Sequence, residues 1–465
     1  MRILRRIGQW LDDRTGIVAL VKPLAVHPVP PNTGWSYIFG SATLIAFLLQ
    51  VVTGMALATI YVPSTGGVYD SLQFINNQAA FGRLLRGIHY FGASAMILLV
   101  GIHLIRVFLT GAFKFPREMN WISGVFLLFL TVALGFTGQM LRWDQNAVWT
   151  AVVGAQQAGR VPFFGTALGH FFIGGYHPGS FTLSRFFTLH VFVFPALLLL
   201  ILGFHLTMVI RNGISEPPRA DRPVDPATYR EQYHAMLDRE GVPFWPDAAW
   251  RDAVFAFVVI VGIFVAATFF GPPPLDKPPN PAIIKALPRP DWYLLWYYAV
   301  LALLPHKAES YVIVFGPLLA VLFLLVLPLW ANRGHRHPGR RPWAVGSVLL
   351  ILASIAVLWY AGIHANWSPR FDAKPLTDQI IGSTSGPVYQ GGQLFSKRGC
   401  LFCHRISGHG GKRGPDLTTV GNRLTENQMI IRIMNGGYNM PAYGGILGSG
   451  QVKSLVAFLR SRKSH

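Results

Sequence analysis

Four histidines stand inside apolar sequence at matched spacings. His89 and His103 are fourteen residues apart, and His190 and His205 fifteen. At 100° per residue, fourteen steps bring the second imidazole to within about 40° of the first, about 21 Å further along the axis. Fifteen steps leave about 60°, still one broad face. Each helix therefore presents two like ligands near opposite sides of a hydrocarbon core about 30 Å thick. Two such helices form two stacked bis-imidazole sites, the ligand set of a low-spin haem held between helices. A single histidine in such a place is more often a core residue bonded to a neighbour. Four in matched pairs read as functional, because ionisable groups inside a membrane are costly.

A second ligand set lies towards the C-terminus, in Gly399-Cys400-Leu-Phe-Cys403-His404. Cys-x-x-Cys-His is the c-type haem attachment pattern: two thioethers fix the porphyrin and the next imidazole binds iron. These are the chain's two cysteines, so no disulfide framework is possible. The sixth ligand is expected to be Met440, in a glycine-rich loop, and not Met434, whose helical setting reads as core packing. Gly414-Pro415 is expected to pass near the haem edge on the His404 side.

The elements that must position these ligands are membrane spans. The chain has 465 residues, 52% hydrophobic and 13% charged, with mean hydropathy +0.39. Apolar runs predict seven helices at about 34–60, 82–110, 119–140, 181–211, 252–270, 311–330 and 343–363. The first run starts near Trp35, too late for a cleavable signal. Residues 2–11 read as an amphipathic helix lying on the membrane. The net charge of +20 sits mainly in short loops, a topology signal rather than a nucleic-acid footprint. Asn332–Arg341 carries four arginines and no acid, whereas 61–81 carries no Lys or Arg. The N-terminus is therefore expected to be cytoplasmic, and everything after residue 363 outside.

Gly40 and Gly54 in the first span, and Gly124 and Gly138 in the third, repeat the fourteen-residue step. Glycine lets a flat macrocycle approach the backbone; ordinary small-residue helix packing is the rival explanation. Arg86 is placed to pair with a propionate of the outer haem, and Arg106 and Lys114 either serve the inner one or mark the membrane border. Pro195 should kink the fourth span. Residues 141–180 suggest short surface helices. The outer connection 271–310 holds Pro290-Asp291-Trp292-Tyr293, whose carboxylate could take a proton from a bound quinol; the rival reading is a turn with interfacial aromatics.

With these residues assembled, the chain resembles the cytochrome b of the Rieske–cytochrome b quinol oxidoreductases. Residues 1–215 are similar to the b6-type diheme half, with Phe113-Lys-Phe-Pro-Arg-Glu, Gly135-Phe-Thr-Gly and Arg211-Asn-Gly-Ile-Ser-Glu-Pro. The His190–His205 step of fifteen points to the same branch. Residues 243–363 look like its second half, a separate subunit in plastoquinol complexes. The resemblance implies that His89 and His190 bind an outer, low-potential b haem, and His103 and His205 an inner, higher-potential one. It also implies that Pro290–Tyr293 stands where the family has Pro-Glu-Trp-Tyr at the quinol-oxidising site, with Asp291 the variant of menaquinol users. Three departures stand out. Ile38 replaces the cysteine that tethers an extra haem at the inner quinone site. Arg142 replaces a proline before Trp-Asp-Gln. A c-type domain is fused after the joined halves.

The expected fold is all-α: a diheme four-helix bundle (1–215), three further helices (216–363), a polar linker (364–390) and a class I-like cytochrome c domain (391–465). The expected function is the core haem subunit of a quinol:cytochrome c oxidoreductase in a bacterial cytoplasmic membrane. Two non-covalent b haems and one covalent c haem would carry electrons from quinol, coupled to proton translocation. The chain has no Cys-x-His pair for a Rieske cluster, so that protein is an expected partner, with a cytochrome c or other acceptor, quinone, and a second copy of the complex. A diheme anchor for a dehydrogenase leaves Pro290–Tyr293 and the covalent haem unexplained. A transporter leaves the histidines unexplained as well.

Overall fold

The computed structural model describes residues 2–175, 178–276, 278–279, 290–304, 306–364, 373–436, 440 and 442–463. Among them seven helices are long and apolar enough to cross a membrane. They are α1 (Phe39–Ala58), α2 (Gly82–Leu109), α3 (Glu118–Met140), α4 (Ser180–Asn212), α5 (Phe244–Phe269), α6 (Ala308–Trp330) and α7 (Pro342–His364). Among the described residues strand is confined to two ribbons of two residues per strand. The chain is an all-α, multi-span membrane protein. Two short helices, Gln145–Ala158 and Gly165–Ile173, follow α3.

The chain divides into two compact units, Met1–Lys277 with Pro305–Ile355, and Pro278–Leu304 with Ala356–His465. In the first unit α5 packs on both α1 and α2. Gly87 makes this close approach possible, because a Cβ there would stand 3.1 Å from that of Ala267. Within the bundle, α1 pairs with α2 and α3 with α4. Ala42, Ala46, Phe47, Met96, Leu99 and Leu198 form a buried apolar layer midway along these helices.

Helix α4 is not uniform. Leu189–Val193 is a π turn, followed at once by Phe194-Pro195. Proline offers no N–H and its ring clashes with the carbonyl four residues back. The wider turn takes up one extra residue and relieves that clash. It also explains the step of fifteen between His190 and His205: the added residue is absorbed, and both imidazoles return to the face that fourteen residues give in α2.

One end of the bundle is closed by buried cations. Arg341 donates to the carbonyl of Phe108 (2.7 Å) and Lys114 to those of Ala331 and Arg333. Arg117 donates to the carbonyls of Asn212 and Gly213 and to the Tyr229 hydroxyl. Tyr229 donates to Glu216 (2.6 Å), which pairs with Arg336 at 2.8 Å. Arginines that read as a charge signal thus cap the last carbonyls of α2 and α4 and join the loops of the two halves.

The second unit contains the C-terminal domain. Helix α8 (Gly386–Lys397) crosses α10 (Ser449–Arg460), with α9 (Glu426–Asn435) against α10. Gly391 is required at the crossing, since a Cβ there would collide with the Ser454 carbonyl. Phe395, Phe458, Leu401, Ile406 and Met429 fill the core. Leu376 and Ile381 are buried in it too.

The Glu216–Arg336 pair gives a stability prediction. Burial raises the carboxyl, but Arg336, the Tyr229 hydroxyl and Arg117 outweigh it and hold Glu216 below its ordinary value. A depressed carboxylate stabilises the fold fully above its unfolded pKa, about 4.3, and that contribution is lost as pH falls through the folded value. Arg336→Ala should lower stability by about 3–5 kcal/mol at neutral pH, because Glu216 is left buried and unpaired. Thermal unfolding in detergent should show this gap close below about pH 4. An unchanged midpoint at neutral pH contradicts it.

Candidate functional site

The sequence-predicted histidines come together in the predicted pairs. The ring centres of His89 and His190 are 6.2 Å apart and their planes lie at 77°. Two in-line metal–nitrogen bonds of about 2 Å each, plus the distances from nitrogen to ring centre, span about 6 Å. His103 and His205 face one cavity of about 410 Å³ at the cation-capped end, a volume in the range of cofactor pockets.

Each imidazole lies against a glycine. A Cβ on Gly40 would stand 3.1 Å from the His103 ring, one on Gly54 3.2 Å from His89, one on Gly124 3.5 Å from His205, and one on Gly138 2.7 Å from His190. The glycines were expected to admit the macrocycle; in the structure each lies against one of the four imidazoles.

Three hydroxyls that sequence reasoning missed complete the sites. Thr53, Ser123 and Thr137 each precede one of these glycines. Their oxygens lie 2.9, 2.9 and 3.1 Å from Nδ1 of His89, His205 and His190. Each hydroxyl donates its own hydrogen to a carbonyl one turn back: Leu49, Met119 and Ala133. It must then accept from Nδ1–H, which leaves the Nε2 lone pair for a metal. The signal was present in the sequence as Thr-Gly, Ser-Gly and Thr-Gly.

The two arginines differ. Arg106 stacks over Tyr37, 3.6 Å from the ring centre, and lines the His103–His205 cavity. Its Nε and Nη2 are buried without a hydrogen-bond partner among the described residues, which suits an anionic group such as a propionate. Arg86 is buried too, but it donates to Asn76 (2.9 Å) and to the Pro273 carbonyl (3.0 Å) and so secures two connections. Lys114 is committed to carbonyls, as described above. Ile38 is buried on the cavity wall and offers no thiol. Arg142 pairs with the buried Asp144, which caps the helix from Gln145 and accepts from the Asp276 amide.

In the C-terminal domain Cys400–Cys403 form one helical turn. The His404 Nδ1–H donates to the Pro415 carbonyl at 2.9 Å, again leaving Nε2 for iron, and burial lowers the pKa of the imidazole. A Cβ on Gly414 would stand 2.6 Å from the His404 ring, so this pairing repeats the glycine–imidazole contact of the bundle. Met434 and Met440 both pack against the domain core. Residues 437–439 and 441 of the loop around Met440 lie outside the described residues. Pro290 and Asp291 lead into a tight turn, Trp292–Leu294, closed by the Leu294 amide on the Asp291 carbonyl. The Trp359 indole donates to the Trp292 carbonyl at 3.0 Å, and the Trp292 and Tyr293 rings meet edge to face.

Paired imidazoles at two depths of a helical bundle, each against a glycine, define a class: membrane proteins that hold flat, metal-centred groups between helices. Comparisons give the family. Residues 94–278 match the model "Cytochrome b(N-terminal)/b6/petB" and 278–373 the model "Cytochrome b(C-terminal)/b6/petD". Residues 387–459 match "Cytochrome C oxidase, cbb3-type, subunit III". Cytochrome b6 of Heliobacterium mobile is 42% identical over 210 residues, 45% of this chain and 99% of that protein. The menaquinol:cytochrome c reductase cytochrome b subunit of Bacillus subtilis (strain 168) is 39% identical over 225 residues, 46% of this chain and 100% of that protein. A solved hyperthermophilic respiratory complex III chain superposes with TM-score 0.65 at 27% identity, covering 85% of this chain and 96% of its own. The chain belongs to the cytochrome b/b6 family, with both parts of cytochrome b in one polypeptide and a cytochrome c domain after them. Membership implies b-type haem in the bundle and c-type haem in the C-terminal domain.

Two predictions follow from the geometry. Gly138→Val should displace His190 and remove one extractable haem, while the covalent haem remains; pyridine haemochrome spectra check this, and full extractable haem contradicts it. Met440→Ala should abolish the weak long-wavelength band of sulfur–iron(III) ligation, whereas Met434→Ala should retain it. The reverse outcome would exchange the two methionines.

Proposed function

We propose that this chain is the core haem subunit of a quinol:cytochrome c oxidoreductase, and that menaquinol is its reductant. The observation that carries the reading is the pair of stacked imidazole levels, each imidazole seated on a glycine. Support comes from the relatives, one a menaquinol:cytochrome c reductase subunit, and from Asp291 in the place of the family's glutamate. His89 with His190, and His103 with His205, hold two non-covalent b haems; Cys400, Cys403, His404 and Met440 hold one c haem. When bound, these groups supply one-electron carriage.

The remaining work falls to the chain's own groups. Thr53, Ser123 and Thr137 keep the Nδ1 protons in place, so that Nε2 remains a ligand. Arg106 balances the charge of an anionic group in the inner cavity, and the apolar layer of Phe47, Met96 and Leu198 keeps water from the space between the levels. Pro290, Trp292 and Tyr293 hold the Asp291 turn, and the Asp291 carboxylate accepts a proton released when quinol is oxidised. Quinol oxidation releases protons and electrons together, so a base on the outer side and quinone reduction on the inner side translocate charge. A Rieske iron–sulfur protein receives the other electron and passes it to the c-type domain. The reading places the N-terminus in the cytoplasm of a bacterium, the C-terminal domain on the outer face, and the complex as a homodimer. It takes residues 1–215 and 216–363 as the two cytochrome b parts.

Asp291→Asn keeps the shape and removes the base. Quinol:cytochrome c turnover normalised to haem should fall by roughly 10²–10⁴-fold, with all haems retained. Asp291→Glu should keep much of the rate. Near-normal turnover in Asp291→Asn would reduce the motif to a structural turn.

A further inference from the structure

We propose that the hydroxyls of Thr53, Thr137 and Ser123 set the order of the two b-haem potentials, holding the His89–His190 level below the His103–His205 level. The inference rests on the haem assignment above and adds the cause of a direction for electron flow between the levels.

The four imidazoles are related by a repeated arrangement in which each meets a glycine, preceded by Thr53, Thr137, Ser123 or Phe39. The arrangement is unequal between the two depths. At one level both ligands have a hydroxyl oxygen on Nδ1, Thr53 on His89 and Thr137 on His190, at 2.9 and 3.1 Å. At the other, Ser123 lies 2.9 Å from His205 Nδ1, while the residue before Gly40 is Phe39. Phe39 has no hydroxyl, and among the described residues no hydrogen bond reaches His103 Nδ1. Two acceptors thus stand against one.

Each acceptor acts through its histidine. A partner on Nδ1–H makes the imidazole more basic and more electron-rich at Nε2. These hydroxyls are polarised further, because each donates its hydrogen to a backbone carbonyl, and linked hydrogen bonds strengthen one another. A more electron-rich axial ligand favours the more highly charged oxidised iron, which lowers the reduction potential. The level with two such partners is pulled down twice, the other once. Arg106 acts in the same sense: its buried cationic side chain lines the His103–His205 cavity and favours the reduced state there. An electron arriving at the His89–His190 level therefore runs downhill to the other.

Hydroxyl removal separates the histidine partners from Arg106. Potentiometric titration of the complete complex in membranes, followed at the b-haem α bands, reads each potential directly. Thr53→Val and Thr137→Val should each raise the lower potential and narrow the gap between the two transitions. Ser123→Ala should raise the upper potential and widen the gap. Thr137→Ser, which keeps a hydroxyl, should leave both where they are. Haem content measured on the same membranes confirms that both sites are filled, and Thr53 and Thr137 report on one haem independently, so loss of either variant leaves the other to decide. Unmoved potentials in haem-replete Val variants, or a Thr137→Ser shift as large as that of Thr137→Val, would overturn the proposal. Wild-type membranes without two separable b-type transitions would overturn the haem assignment itself.

Discussion

An imidazole can pack closely against a helix backbone only where that helix carries no side chain at the point of contact. The bundle is arranged around four such points, at Gly40, Gly54, Gly124 and Gly138. Each contact fixes the rotation of two helices about their axes and their separation. A shift of one helix by a single residue would put a side chain where a ring now sits. The π turn at Leu189–Val193 fits the same constraint, since it absorbs one residue and brings the step of fifteen to the offset that fourteen residues give in α2.

Much of this was legible in the sequence, for a physical reason. Period-matched histidines and glycines survive as spacings, and spacings along a helix translate into faces by simple geometry. The seven spans and the pairing of the four histidines were open to that kind of reading. What was not legible depends on partners distant in the chain. The hydroxyls of Thr53, Ser123 and Thr137 looked like ordinary small residues of apolar helices. Arg336 and Arg341 looked like solvated loop charges, yet they are buried among the carbonyls of another part of the chain.

The joining of both cytochrome b parts in one polypeptide has a structural counterpart. The buried network through Arg117, Tyr229, Glu216 and Arg336 ties a loop of the residues that match the C-terminal model to loops of those that match the N-terminal one. A charged network of this kind costs desolvation and is held in place by complete pairing. It closes the bundle at the end where Arg106 and Tyr37 line the cavity, so packing and charge are set by the same residues.

In the function proposed here, this chain holds two b haems by histidines alone and one c haem by thioethers. Acid–acetone extraction followed by pyridine haemochrome analysis of the purified chain measures this most directly. Two b haems should be extracted for each haem that stays with the protein. A single extractable haem, or a second covalent one, would contradict it.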